Sequence, residues 1–298
     1  MWTPCVPESI PGHRDAQGCR NSAMSTFMAS KTDGRVCLFG APFDSTASFR
    51  PGSRFGPGAI REASYGLETF SPVQLSDLED CSFMDMGDLE LPFGDPNPAL
   101  GLIEERTREI MSRGKTPFLL GGEHLVSLGA VRAAAKVYPD LRVIHLDAHA
   151  DLREEYLGQR LSHATVMRRV LDLLGQDRVR QIGIRSCTRQ EHALMSELLS
   201  LPEQLALRTG TKPCYLTCDL DILDPSVLPG TGTPEPGGLM FHELTAMLVS
   251  IMTRLHIVGL DVVELAPQLD PTGVSAIVAA KVVRECLIAL DRRHRCKE

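Results

Sequence analysis

Residues 141–151 read Leu-Arg-Val-Ile-His-Leu-Asp-Ala-His-Ala-Asp, an apolar run followed directly by side chains that can bind metal. The run is short and rich in branched residues, which predicts a buried strand that ends near Asp147. Residues 215–221 repeat the pattern, with Tyr-Leu-Thr-Cys before Asp-Leu-Asp. In a parallel α/β sheet the carboxyl ends of neighbouring strands meet in one crevice. We therefore expect the two segments to contribute to one site.

Predicted strands alternate with predicted helices along most of the chain. The strands are residues 35–40, 117–121, 141–147, 179–184, 213–219 and 257–263, and the helices are residues 57–65, 97–112, 126–137, 162–174, 190–199, 241–255 and 274–290. Such alternation implies parallel strands with helices on both faces of the sheet. We expect one three-layer α/β/α domain over residues 34–298, with a mainly parallel sheet of about seven to eight strands.

The composition limits the class of protein. The chain has 298 residues, of which 43% are hydrophobic and 23% charged, as in soluble globular proteins. A net charge of −7 argues against nucleic-acid binding, and no apolar run is long enough to span a membrane. Residues 1–33 are polar, lack the pattern of a secretory signal and predict a disordered arm. The nine cysteines are scattered, which favours reduced thiols in a cytoplasmic protein.

A third segment adds another candidate metal ligand. His124 follows the predicted strand 117–121 in the motif Gly-Gly-Glu-His. The candidate ligands are then four aspartates and two histidines: His124, Asp147, His149, Asp151, Asp219 and Asp221. A single aspartate at a strand end often caps a helix, but this many carboxylates gathered together require cations. Carboxylates with imidazoles and no thiolate fit Mn²⁺ best, and paired cations ionise a water that can act as a nucleophile.

The expected charge at the mouth of this site favours a cationic substrate. Glu264 ends the predicted strand 257–263 and adds another carboxylate. Even with two dications bound, the mouth would attract a cation and repel a phosphate. Two-metal phosphatases are the competing class, but no cluster of arginine or lysine is assigned to the site. Two long loops, residues 41–58 and 222–238, follow strands at the same edge, and loops of this length are usually functional. Residues 50–58 could equally be a plain connector, or serve subunit contacts.

Taken together, these motifs resemble the ureohydrolase family, which includes arginases, agmatinases and guanidino-acid hydrolases. The matching motifs are residues 121–124, 147–151, 219–225 and 230–234, and the resemblance covers about residues 35–290. Within the family the chain is most similar to bacterial agmatinase, on residues 50–61, 161–165 and 230–238. The resemblance implies hydrolysis of agmatine to putrescine and urea, a step of polyamine biosynthesis, with two Mn²⁺ per chain. It also implies a homo-oligomer, a hexamer or a trimer.

The resemblance assigns a role to each matching residue. One Mn²⁺ would be held by His124, Asp147, Asp151 and Asp219, and the other by Asp147, His149, Asp219 and Asp221. Asp147 and Asp219 would bridge the two ions. Glu264 would orient the guanidinium, Thr233 would line the guanidinium site and His163 would shuttle protons near the mouth.

Two further residues in these motifs, His145 and Asp224, would orient ligands or a loop. Two departures from the family pattern also stand out. The chain between residues 199 and 213 is too short for the additional strand and helix that relatives have there, and Glu123 stands where many relatives have aspartate.

The tail of the substrate is the open point. Arginases have a distinctive segment that binds the α-amino and α-carboxylate groups, and residues 152–161 do not resemble it. Glu154 and Glu155 in this stretch either bind the ammonium of an amine or are solvated surface charges. Another guanidino-compound hydrolase, of the arginase or guanidinobutyrase type, therefore remains an alternative. A single-metal zinc deacetylase and a catalytically silent regulatory relative are also open, although the complete set of ligands argues against both.

Overall fold

The computed structural model describes residues 26–195, 198–200, 205 and 209–295. Within these residues the strands are β1 (Val36–Ala41), β2 (Phe70–Ser71), β3 (Ser76–Asp77), β4 (Phe83–Asp88), β5 (Thr116–Gly121), β6 (Arg142–Leu146), β7 (Val179–Ile182), β8 (Pro213–Asp219) and β9 (His256–Val263). All but β2 and β3 form one parallel sheet of seven strands, in the order β4-β1-β5-β9-β8-β6-β7. The predicted single α/β domain with seven to eight mainly parallel strands is therefore confirmed.

Helices cover both faces of the sheet. They are α1 (Gly56–Ser64), α2 (Pro96–Ser112), α3 (Ser127–Val137), α4 (Val166–Leu174), α5 (Arg189–Met195), α6 (Phe241–Arg254) and α7 (Val274–Arg295). Successive residues of a strand point to opposite faces, so Leu120 packs in the cluster under α1, α6 and α7, whereas Leu119 packs in the cluster under α2, α3 and α4. Each face of the sheet thus has its own hydrophobic core.

The strand β4 at one edge of the sheet was not predicted. Its sequence, Phe-Met-Asp-Met-Gly-Asp, carries acidic residues that are rare in strands. The structure explains them, because Arg61 of α1 is 2% exposed and forms ion pairs with Asp85 and Asp88. A buried arginine from a distant helix, invisible in the local pattern, makes this sequence compatible with a strand.

At the opposite edge the sheet extends by a single bridge. Leu199 pairs in parallel with Gln181 of β7, whose backbone N–H donates to Leu198 O at 3.0 Å and whose carbonyl accepts from Ser200 N–H at 3.0 Å. Residues 196–197, 201–204 and 206–208 lie outside the described part of the chain. The helix predicted over residues 190–199 is accordingly described only as far as Met195.

The predicted disordered arm, residues 1–33, needs a correction at its end. Phe27 is fully buried and packs edge-on against Phe83, with ring centroids 6.3 Å apart. Its backbone N–H donates to Asp85 Oδ2 at 2.7 Å, and Met28 N–H donates to Ser64 Oγ at 3.0 Å. The chain from residue 26 onward is therefore part of the folded domain. Residues 1–25 of the predicted arm lie outside the described residues.

Four neighbouring strands, β5, β9, β8 and β6, bring the candidate site together at their carboxyl ends. The backbone just after β5 lies close to the segments that follow β1 and β9. Gly122 N–H donates to Ala41 O at 2.9 Å, and the Gly122 carbonyl accepts from Glu264 N–H at 2.8 Å. A Cβ at Gly122 would lie 2.0 Å from the carbonyl oxygen of Phe43. Only glycine lets β5, β9 and the loop after β1 meet at this point.

Replacing Gly122 by alanine should therefore destabilise the fold. A methyl group there must displace the backbone of Phe43, so we expect the unfolding midpoint to fall by roughly 5–10 °C. The matched control is Gly101→Ala in α2, where a Cβ meets no atom within 4 Å and should be neutral or stabilising by about 1 kcal/mol. Thermal unfolding followed by circular dichroism measures both. Equal midpoints for the two variants would show that the close approach is not required.

Candidate metal centre

One imidazole nitrogen faces three carboxylates at the ends of β5, β6 and β8. His124 Nδ1 lies 3.0 Å from Asp147 Oδ2, 3.2 Å from Asp219 Oδ2 and 3.4 Å from Asp151 Oδ2. Ligand atoms this close together can surround a single cation, and all four residues are nine-tenths buried or more. These are the residues that the sequence analysis grouped around one ion.

A second group lies on the other side of Asp147. His149 Nδ1 is 2.9 Å from Asp221 Oδ2 and 3.5 Å from Asp147 Oδ1. Asp147 thus directs one oxygen to His124 and the other to His149, which is the arrangement of a bridging ligand. Asp219 joins the two groups as well, because its Oδ1 accepts from Asp221 N–H at 2.8 Å. All six predicted ligands are therefore brought together, with Asp147 shared between the two groups, and His145 lies close enough to join the first group.

The ionisation of these groups reflects their crowding. Burial, together with the charges of Asp221 and Asp147, raises the pKa of Asp219 well above its ordinary value. Burial alone would lower the pKa of His124, but the adjacent carboxylates of Asp147 and Asp219 raise it well above its ordinary value. Protons thus compensate the charge of the carboxylates. Dications at the same place would do so without protonating the ligands, so the donor set fits a metal centre.

Hydrogen bonds behind the cluster set the tautomer of His124. Thr217 Oγ1 donates to Asp261 Oδ1 at 2.6 Å, so it is free to accept from His124 Nε2 at 2.9 Å. In the neutral form of the ring the proton is then on Nε2, and the lone pair is on Nδ1. Buried Nδ1 makes no hydrogen bond with any described residue. A buried nitrogen with a free lone pair that faces three carboxylates is what a metal ligand requires.

His145 supports the cluster from behind. Gln181 Nε2 donates to Ala150 O at 2.8 Å and lies 2.9 Å from His145 Nδ1. This amide orientation makes His145 Nδ1 an acceptor, and Nε2 then donates to Asp147 Oδ2 at 2.7 Å. His145 therefore orients Asp147, as the sequence analysis expected.

Glu264 follows β9 directly and has an unusual backbone conformation. Its φ is +67°, and Asp151 has a φ of +53°, both in the left-handed region that non-glycine residues rarely adopt. Strain of this kind persists where the surroundings hold it, often at functional sites. Glu264 Oε1 accepts from His124 N–H at 2.7 Å. Burial and the charges of Asp219 and Glu123 raise the pKa of Glu264 well above its ordinary value.

His163 lines the same cavity as Glu264. Its Nε2 lies 3.2 Å from Ser48 Oγ, and its backbone N–H donates to Thr46 Oγ1 at 3.1 Å. The ring of Tyr156 packs edge-on against it, with centroids 5.8 Å apart. Burial, together with the positive charges of His149 and others, lowers the pKa of His163 to about 4. The ring is therefore neutral at physiological pH.

The cavity over the metal centre has a volume of about 320 Å³. It is lined by predicted site residues, among them Glu264, His163 and Thr233, whose hydroxyl donates to Asp221 Oδ2 at 3.3 Å. It is also lined by three charged residues that sequence reasoning missed: Arg153, Glu191 and Glu235. The only signal in the sequence that could have identified them is their position, since these residues fall in segments that follow the predicted strands 141–147, 179–184 and 213–219.

The hypothesis that Glu154 or Glu155 meets the substrate is wrong. Neither lines the cavity, and both are exposed. The carboxylate of Glu154 instead forms ion pairs with Arg168 at 2.8 Å and with Arg160 at 3.2 Å. The alternative, that Glu154 and Glu155 are surface charges, agrees with the structure. The arginine next to them, Arg153, points to the cavity and stacks on Tyr156, with its guanidinium carbon 4.5 Å from the ring centroid.

The two long loops at this edge are tied to each other and to the site. Arg50 Nη2 donates to Thr231 O at 2.7 Å, and its Nε donates to Gly232 O at 3.1 Å. Asp224 closes the second loop, because its Oδ2 accepts from Gly237 N–H at 2.8 Å. Residues 50–58 therefore do more than connect β1 to α1, since Arg50 holds the segment that carries Thr233.

A paired cation site that opens into a cavity at the carboxyl edge of a parallel sheet is typical of metal-dependent hydrolases. The comparisons with known proteins agree with this class. The model of the arginase family matches residues 34–289. An agmatinase of Bacillus anthracis is 45% identical over 267 residues, which cover 86% of this chain and 92% of that protein. An agmatinase of Bacillus subtilis (strain 168) is 42% identical over 275 residues, which cover 88% of this chain and 95% of that protein.

Solved structures give the same result. The crystal structure of a putative agmatinase from Clostridium difficile has a TM-score of 0.84 and 42% identity, and the match covers 88% of this chain and 99% of that one. This chain belongs to the arginase family and is a ureohydrolase.

Two observations concern the rest of the chain. Among the helices described, none has both the length and the apolar composition to cross a bilayer. The six cysteines in the described segments are free thiols, and Cys187, which lines the cavity, is the exposed one.

The metal centre makes a direct prediction. Asp147→Asn or Asp219→Asn should reduce the Mn²⁺ content of the reconstituted protein from about two ions per chain to below one, because both ions depend on each carboxylate. The matched control is Asp224→Asn. It makes the same aspartate-to-asparagine change in the segment 219–225, at a residue outside the cluster. Elemental analysis after dialysis measures the content. Two ions per chain in either ligand variant would contradict the shared site.

Proposed function

We propose that the protein is an agmatinase, which hydrolyses agmatine to putrescine and urea with two Mn²⁺ per chain. One observation carries this proposal most strongly. Glu264 extends a desolvated carboxylate into the cavity beside the metal ligands, and no lysine or arginine of the described residues forms an ion pair with it. A carboxylate in such a place calls for a cationic ligand, and a guanidinium is planar and offers paired donors.

The metal ligands in this proposal are the six residues of the cluster. One ion would be held by His124, Asp147, Asp151 and Asp219. The other would be held by Asp147, His149, Asp219 and Asp221, so that Asp147 and Asp219 bind both ions. The oxygen-rich donor set with two imidazoles is the basis for choosing Mn²⁺. The chemistry that two such cations supply when bound is ionisation of water near neutral pH and stabilisation of developing charge.

The residues around the cluster hold the guanidinium in place. Glu264 has one oxygen bonded to His124 N–H, which fixes the carboxylate and leaves its second oxygen for the substrate. That second oxygen is near Gly232, and the next residue, Thr233, lines the cavity. A guanidinium held between Glu264 and Thr233 has its carbon close to the cluster, and such positioning lowers the barrier to attack.

His163 moves the proton that the reaction requires. Hydrolysis adds water to the guanidinium carbon and breaks the bond to the alkyl nitrogen, which must gain a proton to leave as an amine. Because its pKa is about 4, His163 is neutral at pH 7 and can take up a proton and pass it on. Ser48 pairs with Nε2, and buried Nδ1 has no hydrogen-bond partner among the described residues.

The charges at the mouth bear on the tail of the substrate. Glu235 lines the cavity, with Oε1 3.7 Å from His149 Nε2, and is an anionic site for the ammonium of agmatine. Arg153 favours a second candidate. Its guanidinium lines the cavity without a carboxylate partner in the described part of the chain, so it could bind the carboxylate of a guanidino acid. Hydrolysis of a guanidino acid such as 4-guanidinobutyrate is therefore the alternative function.

The proposal includes an assembly and a location. Phe49 at the cavity mouth, Phe93 and Leu157 have more than two-thirds of their surface exposed, which is suited to contacts between copies of the chain. We therefore expect a homo-oligomer, a trimer or a hexamer. The free thiols suit the cytoplasm.

His163→Ala should slow turnover by roughly ten- to a thousand-fold and leave the metal content unchanged. Because a pKa near 4 keeps His163 neutral above about pH 5, the ratio of the wild-type rate to the variant rate should stay constant from pH 6 to pH 9. Urea release measured across this range checks both points. A ratio that changes tenfold with a midpoint near pH 6.5 would show that His163 titrates as an ordinary exposed histidine.

The substrate is tested by a panel of agmatine, arginine and 4-guanidinobutyrate. We expect kcat/KM for agmatine to exceed the other two by roughly a hundred-fold or more, since each competitor brings a carboxylate to the acidic mouth. Urea release under steady-state conditions with the Mn²⁺-loaded enzyme measures all three. A preference for 4-guanidinobutyrate would establish the alternative function and assign Arg153 to its carboxylate. Absence of urea from every guanidine tested would contradict the proposal as a whole.

A further inference from the structure

The loop after β1 connects the metal centre to His163. Glu123 directly precedes the ligand His124, and its side chain is fully buried. Its backbone N–H donates to Phe43 O at 2.8 Å. Its carboxylate accepts the backbone N–H of Thr46 at 3.0 Å and the Thr46 hydroxyl at 2.7 Å. Glu123 thus fastens this loop both by its backbone and by its side chain.

The Thr46 hydroxyl is the junction between Glu123 and His163. A hydroxyl has one proton to donate and lone pairs to accept with. Thr46 Oγ1 donates to Glu123 Oε1 and accepts the backbone N–H of His163 at 3.1 Å. In the same loop, Ser48 Oγ lies 3.2 Å from His163 Nε2. The loop therefore contacts both the backbone and the ring of His163.

We propose that Glu123 and Thr46 are positioning residues that set the place of His163 relative to the metal centre. The inference rests on the proposed proton transfer by His163. Neither residue lines the cavity over the metal centre, and Thr46 lines a neighbouring pocket instead. They act through a chain of contacts that begins next to the ligand His124 and ends at the residue that moves the proton.

The contacts from Glu123 through Thr46 to His163 require the length of the glutamate side chain. An aspartate would be shorter by one methylene, about 1.5 Å, and its backbone could not follow because Phe43 O holds it. The contacts to Thr46, now 2.7 and 3.0 Å, would then exceed hydrogen-bonding distance. Glutamate at this position is thus explained by its reach to Thr46.

The test uses the full, Mn²⁺-loaded chain and three substitutions. Thr46→Val removes the hydroxyl and keeps the shape of the side chain, whereas Thr46→Ser keeps the hydroxyl. The control, Thr253→Val, makes the same threonine-to-valine change at an exposed helical threonine far from the site. We expect Thr46→Val to lower kcat roughly 10- to 100-fold, with KM within threefold and the metal content unchanged, because small misplacements of a catalytic group are costly. Thr46→Ser and Thr253→Val should stay within threefold of the parent rate.

Combination with His163→Ala separates positioning from a general structural effect. If Thr46 acts through His163, adding Thr46→Val to His163→Ala should slow the enzyme by less than threefold. A full 10- to 100-fold further loss would overturn the proposal, since Thr46 would then act elsewhere. Loss of metal in Thr46→Val would overturn it as well.

A measurement that does not depend on activity tests the positioning role of Glu123 and Thr46 separately from the proposed function. The His163 amide donates to Thr46, so its hydrogen exchange should become faster in Thr46→Val and in Glu123→Asp and stay unchanged in Thr46→Ser. Unchanged exchange in Thr46→Val and Glu123→Asp would overturn the positioning role. If His163→Ala retained full activity, the proton-transfer step would be wrong, and the exchange data would still decide whether Glu123 and Thr46 hold His163.

Discussion

The buried charge of Asp147, Asp219 and their neighbours is the constraint on which the rest of this structure depends. Carboxylates this close together, removed from water, repel one another unless cations or protons compensate them. The sheet gathers them because four adjacent parallel strands end at one edge. Hydrogen bonds behind the cluster then orient two of the ligands. Thr217 contacts His124, and Gln181 contacts His145, which in turn donates to Asp147. The metal centre is thus a property of the strand order as much as of the ligands.

The loops at this edge complete the site, and they do so by holding one another. Arg50 of the loop after β1 fixes the carbonyls next to Thr233, and Glu123 and Thr46 fix the segment that carries His163. The strained backbone of Glu264 is held by its bond to Gly122. The wall proposed to bind the guanidinium and the wall proposed to transfer the proton are therefore built from different loops on one sheet.

The sequence was sufficient for the parts of the molecule in which local pattern and structure agree. Most strands of the central sheet are apolar runs, and each ligand lies at or shortly after the end of its strand, so the cluster could be predicted. The strand β4 could not, because its aspartates are explained only by Arg61 from α1. Glu154 was a poor candidate for the substrate tail, since nearby arginines neutralise it on the surface. Arg153 and Glu235 reach the cavity through the course of the loops, which has no periodic signal, and Glu191 reaches it from the first turn of α5.

We propose that Asp147 and Asp219 are shared between two cations. Anomalous diffraction from a crystal grown with Mn²⁺ tests it most directly. We expect two anomalous peaks per chain, about 3.5–4 Å apart, one beside His124 and one beside His149, with Asp147 and Asp219 in contact with both. A single peak, or a pair of peaks in which either aspartate contacts only one ion, would contradict it.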